Sequence, residues 1–270
     1  SHPGHDDSVL RIDVLLDPFA ARWAAVRDAA RAAEDLGFDG IWTWDHLAGT
    51  AHRASHVLEA WTTLSALAAI TDRVELGPLV LNVANRDPGT LAVAAATMQE
   101  ISGGRLQLGL GAGGGLRTPY AREQQALGRP VGGDRARRSA LADTIDELRR
   151  VWADPSGVGF LQPRPNPPIV IGGFGPAMAA LAGTVADGFN TQAAHPALAD
   201  LVHQARSRAA ERPFSVSVFC GNEPRWFRIG SAGRRRVEDL GVDRLVVIVA
   251  PPYPVATLRE IASEAGLAQP

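Results

Sequence analysis

The stretch from Asn85 to Gly115, NRDPGTLAVAAATMQEISGGRLQLGLGAGGG, carries a helix, a Gly-Gly turn, a strand and a glycine cluster in direct succession. That order belongs to a βα protein with a ligand at its strand ends. From Thr90 to Ile101 the residues Leu91, Ala94, Ala95 and Met98 recur at helical spacing, so one face can lie against a sheet. Ser102, Gly103 and Gly104 stop that helix, and Arg105 to Leu110 reads as a strand. Gly111-Ala112-Gly113-Gly114-Gly115 then removes side chains where the chain must turn. Without Cβ atoms, main-chain N–H groups can approach a planar ring or a phosphate closely. A tight βα turn with no ligand accounts for this segment equally well.

Bulk composition bounds what can surround this segment. At 270 residues and 28.5 kDa the chain matches one α/β barrel of about 250 residues, and 46% hydrophobic residues suffice for its core. A net charge of -2 supplies no basic field, so no nucleic acid partner is expected. No apolar run reaches membrane-spanning length, and SHPGHDDS has neither the cationic nor the apolar part of a signal peptide. Cys220 is the lone cysteine, which excludes an intrachain disulfide and makes a cytoplasmic location the expectation. All 27 cationic side chains are Arg, so a lysine Schiff base and a Walker-type phosphate lysine are excluded.

Strand-like runs alternate with helical patterns along the whole chain: Arg11 to Leu16, Gly40 to Trp44, Val74 to Val80, Arg105 to Leu110, Ile169 to Gly172, Gly188 to Gln192, Ser215 to Phe219 and Arg244 to Val249. Eight is the number a closed parallel barrel requires. An internal echo supports the repeat, with Glu34-Asp35-Leu36-Gly37-Phe38-Asp39 before the second strand and Glu238-Asp239-Leu240-Gly241-Val242-Asp243 before the eighth. The segment from Leu116 to Gly133 and the Pro-rich passage from Asp154 to Pro168 flank a helix from Asp134 to Trp152, and both are read as excursions over the barrel mouth. The expected organisation is a disordered segment over 1–8 and a single (β/α)8 TIM barrel over 9–270. An open doubly wound sheet is the alternative.

Functional side chains of such a barrel gather at the C-terminal ends of its strands. After the second strand Asp45 and His46 adjoin, and an imidazole can exchange protons near neutrality. Taken alone, the pair reads more simply as a helix N-cap beside a surface histidine. After the third strand come Leu79, Val80 and Asn82, with Pro78 inside the run arguing for a bulge. The glycine cluster follows the fourth strand. Gly172, Gly173, Phe174, Gly175 and Pro176 follow the fifth and open a helix, forming a plausible phosphate cradle of N–H groups.

Together these positions resemble the bacterial luciferase-like monooxygenase family, and within it the deazaflavin branch that uses coenzyme F420. The resemblance is carried by AEDLGFDGIWTWDH (Ala33 to His46), TDRVELGPLVLNVANRDP (Thr71 to Pro88), the stretch quoted first, DRARRSALADTIDELRRVW (Asp134 to Trp152) and PIVIGGFGPAMAALAGTVADGFN (Pro168 to Asn190). It implies a luciferase-like (β/α)8 barrel with the cofactor ring across its mouth and His46 as the proton-transfer residue beside Asp45. It further implies a bulge at Leu79 and Val80 with a cis peptide supporting the ring, followed by Asn82. Main-chain contacts to the ring would come from Gly111, Ala112 and Gly113. Gly172 to Pro176 would form the phosphate turn, with Thr191 and Gln192 as weaker candidates for the same region. A homodimer through helices beside strands two to four is also implied. Some relatives carry a carboxylate directly after the strand-four Gly-x-Gly, where this chain has Gly114; that argues against a sugar-phosphate substrate. Glu123 or Tyr120 could supply a polar group from the excursion.

The function expected is hydride transfer between F420 and a small organic substrate. An FMN-dependent monooxygenase on the same fold is one alternative, and a flavin- or deazaflavin-binding protein without turnover is another. No metal is expected: His52 and His56 share helical spacing, but no third ligand accompanies them. Cys220 is read as a small buried hydrophobe, and Arg234-Arg235-Arg236 as a solvated helix face, with contact to the acidic F420 tail as the alternative.

Overall fold

A computed structural model describes residues 10–268, so the expectation for 1–8 lies outside the described residues. The chain runs β1 (Arg11–Leu16), α1 (Trp23–Asp35), β2 (Gly40–Thr43), α2 (Ala60–Ala68), β3 (Glu75–Pro78), β4 (Leu81–Asn82), α3 (Pro88–Ile101) and β5 (Leu108–Gly111). It continues through α4 (Ala121–Ala126), α5 (Asp134–Ala153), β6 (Ile169–Gly172), α6 (Pro176–Val185), β7 (Gly188–Gln192) and α7 (Leu198–Ala209). The last elements are β8 (Ser215–Cys220), α8 (Pro224–Phe227), α9 (Ala232–Asp239), β9 (Arg244–Val249) and α10 (Val255–Ala265). All strand pairs are parallel, in the order β3-β2-β1-β9-β8-β7-β6-β5-β4. Leu76 N–H donates to the Arg105 carbonyl at 3.0 Å and Gln107 N–H to the Leu76 carbonyl at 2.9 Å, which closes the cylinder. β3 and β4 are the two halves of one barrel strand, interrupted at Leu79 and Val80, so the cylinder has the eight staves of a TIM barrel.

Two element starts differ from the sequence reading by two or more residues. α3 begins at Pro88 rather than Thr90, because Asp87 caps it by accepting the Thr90 N–H at 2.8 Å while Pro88 occupies the first turn. β5 begins at Leu108 rather than Arg105, because Arg105 is a clamp: its guanidinium donates to the carbonyls of Ala68, Thr71, Val74 and Ser102. The excursion also holds a short helix, α4, that periodicity did not announce.

The echoed hexapeptides share one device. Asp39 accepts the Ile12 N–H at 2.8 Å and Asp243 the Val216 N–H at 2.6 Å, each tying a loop to the adjoining strand. Their glutamates diverge. Glu34 accepts from the N–H groups of Asp72, Arg73 and Val74, whereas Glu238 pairs with Arg234.

Alternation along each strand divides the core. Outward residues such as Val14, Ile41, Leu110 and Phe189 pack under the helices, while Leu15, Trp42, Leu79 and Val246 meet inside the cylinder. At the N-terminal floor Asp13 accepts from Trp42 Nε1 and Arg244 Nη1, both at 2.7 Å. Arg244 also pairs with Glu75, which Arg11 holds at 3.0 Å. Burial pushes the Asp13 carboxyl up to about 6 against the attraction of Arg244.

Candidate active site at the barrel mouth

Asp45 and His46 have separate tasks. The Asp45 carboxylate is buried and gripped by Arg86 through two hydrogen bonds of 2.7 and 2.8 Å, and it accepts the Asn82 N–H at 2.8 Å. Arg86 also holds Glu59, which caps α2 through the N–H groups of Trp61 and Thr62. Burial pulls the Arg86 guanidinium down, but its two carboxylates more than offset this and hold it above its ordinary value. Asp45 therefore fastens the end of β2 to β4, which fixes the backbone that carries His46. It caps no helix.

His46 meets a carboxylate from the excursion. Its Nδ1 lies 3.3 and 3.4 Å from the two oxygens of Glu123 on α4. Glu123 also accepts the N–H groups of Leu47 at 2.9 Å and Ala48 at 3.3 Å. Burial raises the Glu123 carboxyl, yet these bonds outweigh it and leave the group below the ordinary carboxylate range. Around the imidazole stand Phe19, Tyr120 and His52, with ring centroids 5.2, 5.3 and 5.7 Å away. Burial and the nearby His46 lower the His52 imidazole below its usual range.

The discounted groups are used structurally. His52 stacks on Phe19 at 4.2 Å while His56 donates to the Ala21 carbonyl at 2.9 Å, and no metal-binding cluster exists among the described residues. Cys220 is buried. Arg234 corrects the solvated-face reading: it is buried, donating to Glu238 and to the carbonyls of Phe227 and Ala265, while Arg235 and Arg236 stay exposed.

The Leu79–Val80 peptide is cis, as the resemblance implied. The Val80 side chain turns toward the neighbouring strands β5 and β6: a Cβ on Gly111 would lie 2.5 Å from it, and one on Gly172 2.9 Å. Those two glycines make room for Val80. Gly113, at φ +72, abuts Asn82, and Gly114 abuts Thr118 and Tyr120. The carbonyls of Ala112 and Gly113 both accept from Arg137. Beside this cluster the mouth is apolar, with the Phe219 ring edge-on to Trp44 at 5.3 Å and to the exposed Phe174 at 6.1 Å.

The turn after β6 is built differently. Gly173 N–H is spent on the Asn190 carbonyl at 3.0 Å, and Met178 and Ala179 both donate to the Gly175 carbonyl. Pro176 has no N–H. The N–H groups of Phe174, Gly175 and Ala177 have no acceptor among the described residues, and nothing approaches a Cβ on Gly175 within 4 Å. On the adjoining β7, Thr191 is buried with its Oγ1 lacking any partner, whereas Gln192 is exposed.

With a parallel barrel, a histidine at its mouth and an open donor turn in place, comparison with known proteins defines the class. The luciferase-like monooxygenase family matches residues 8–221, and the chain belongs to that family. Among its relatives is an F420-dependent glucose-6-phosphate dehydrogenase of Nakamurella multipartita, 32% identical over 208 residues, covering 68% of this chain and 59% of that protein. Another is an F420-dependent hydroxymycolic acid dehydrogenase of Mycobacterium tuberculosis, 30% identical over 178 residues, covering 61% of this chain and 48% of that protein. The chain thus spans about half to three-fifths of the length of these relatives. An F420-dependent secondary alcohol dehydrogenase solved with an F420-acetone adduct shares the fold, with a TM-score of 0.73 and 17% identity over 93% of this chain and 98% of that one.

Sequence reasoning named Glu123 and Tyr120 only as sources of a polar group, and it missed Arg86. The Glu59–Arg86–Asp45 bridge joins three positions far apart in the chain, and no local spacing signals it.

Proposed function

We propose that this protein is an F420-dependent oxidoreductase in which a hydride passes between the bound deazaflavin and a small organic substrate, while His46 gives or takes the accompanying proton. The observation that carries the reading is the turn after β6, whose N–H groups at Phe174, Gly175 and Ala177 are free, together with a buried, unpartnered Thr191 hydroxyl on the neighbouring strand β7. Main-chain donors at a helix N-terminus suit a phosphate, and a buried hydroxyl without a partner is costly unless a ligand satisfies it. The apolar surface of Val80, Trp44 and Phe219 fits a planar ring. F420, when bound, supplies the hydride donor or acceptor. This chain's residues position it: Asp45 orients β4, Val80 presents its side chain toward β5 and β6, and His46 stands where a proton must move. The site includes Leu79 and Asn82, and Gly111 to Gly113 shape it.

The departure at Gly114 supports a substrate other than a sugar phosphate. No helix among the described residues is long and apolar enough to cross a membrane, and a cytoplasmic homodimer is the assembly this reading includes. Fluorescence titration with F420 and with FMN, each alone, tests the cofactor. Saturable binding of F420 is expected, and tight FMN binding with none of F420 overturns the proposal. With a substrate found by screening alcohols, His46→Asn is expected to lower kcat by about 10²-fold or more, with cofactor affinity within about twofold. A loss under about tenfold returns His46 to a structural role.

A further inference from the structure

The geometry points to Glu123 as the residue that decides which ring nitrogen of His46 carries the proton, so that the excursion over the mouth is part of the proton-transfer apparatus. The inference rests on His46 as the proton-transfer residue. A carboxylate this buried, on a helix of six residues, calls for a specific use. Glu123 Oε2 accepts the N–H groups of Leu47 and Ala48, which pins the carboxylate to the backbone that carries the histidine. Both of its oxygens face Nδ1. An ionised carboxylate only accepts hydrogen bonds, so the neutral imidazole opposite it must place its hydrogen on Nδ1 and leave Nε2 with a free lone pair. When Nε2 takes a substrate proton, the same carboxylate stabilises the imidazolium; Glu123 itself touches no substrate and is a positioning residue. Asp17, His52 and Tyr120 are the other titratable groups around the pair.

The fold supplies the carboxylate from the excursion because the strand end cannot. A Cβ on Gly114 would stand 2.6 Å from Thr118 Oγ1 and 2.7 Å from Tyr120 Cβ, so no side chain fits there. Thr118 closes that turn by donating its N–H and its hydroxyl to the Gly115 carbonyl, both at 2.8 Å, and Ala121 N–H then donates to the Thr118 carbonyl. The packing that forbids a side chain at position 114 therefore starts the helix that brings in Glu123.

Imidazole nitrogen NMR on the whole protein, with the His46 signals assigned by comparison with His46→Asn, tests the inference without cofactor. The wild-type neutral ring is expected in the Nδ1–H form. In Glu123→Gln the amide oxygen must accept the Leu47 and Ala48 N–H groups, which turns the NH2 toward Nδ1 and forces the proton to Nε2. That variant should remain folded, with at most a modest fall in its unfolding midpoint, and bind F420 within about twofold, yet lose kcat by about 10²-fold or more, as expected of a wrongly protonated base. A wild-type ring protonated on Nε2, or a tautomer unchanged in Glu123→Gln, overturns the assignment. Failure of F420 to bind leaves the tautomer readout intact, so the two proposals fail separately.

Discussion

Two glycine-rich turns close adjacent strands of this barrel, Gly111 to Gly115 after β5 and Gly172 to Gly175 after β6, and in sequence they carry the same signal. In the folded chain they do opposite things. The first is packed by the protein itself, with Val80 against Gly111, Asn82 against Gly113, Tyr120 against Gly114 and Arg137 on its carbonyls. The second keeps donors unspent and space over Gly175. A missing Cβ says that something approaches the backbone closely; whether protein or ligand does so depends on what the rest of the chain sends there.

The same substitution in both turns gives the largest contrast. Gly113→Ala forces a Cβ into the left-handed region and to within 2.5 Å of Asn82, and should cost about 3 kcal/mol. Gly175→Ala, with an extended backbone and open surroundings, should change stability by under about 0.5 kcal/mol. Urea unfolding of both variants makes the comparison, and equal losses would dissolve it.

Next in size is Gly175→Asp. An Asp is a good N-cap for α6, so the fold should be unchanged or more stable by a few tenths of a kcal/mol, while its charge repels a bound phosphate. F420 affinity is expected to fall about 100-fold, equivalent to about 2.7 kcal/mol. Unchanged affinity would reduce the second turn to a connection like the first. This position is a cleaner probe than Gly173, where a Cβ would strike Met178 at 2.4 Å.

The smallest expected effect is at Thr191→Val. Removing a hydroxyl that has no protein partner should leave the unfolding midpoint in place. If that hydroxyl serves the phosphate, calorimetric titration should show F420 affinity reduced by about three- to tenfold, the worth of one hydrogen bond. No change in affinity would separate β7 from the phosphate site.

The barrel was legible because each stave repeats one local pattern, and the echoed Asp39 and Asp243 repeat one local bond. The His46 position and the break at Leu79 and Val80 were legible through resemblance. What sequence could not show is who meets whom across the mouth: Val80 with Gly111 and Gly172, Arg86 with Asp45 and Glu59, Glu123 with His46. These contacts join residues 27 to 77 positions apart where bonds are formed, and their partners are fixed by barrel closure rather than by any periodicity. Arg105 shows the converse, since a residue that alternation assigns to a strand is claimed by four carbonyls at a helix end.

The sealed carboxyl of Asp13 makes folding a proton-consuming event. Held at about 6 against an ordinary 3.8, it binds a proton in the folded chain between about pH 4 and 6 where the unfolded chain has none. The stability it lends is complete below about pH 4 and vanishes as pH rises through about 6, an effect on the order of 3 kcal/mol. At the mouth the carboxylates of Glu59 and Glu123 behave in the opposite sense, being held low and losing their grip only as acid protonates them. Acidification should therefore tighten the closed end of the cylinder while it loosens the open end. Amide exchange at Ile12 to Leu15 and at Leu47 to Ala48, followed from pH 6 to 4, should diverge in just that sense.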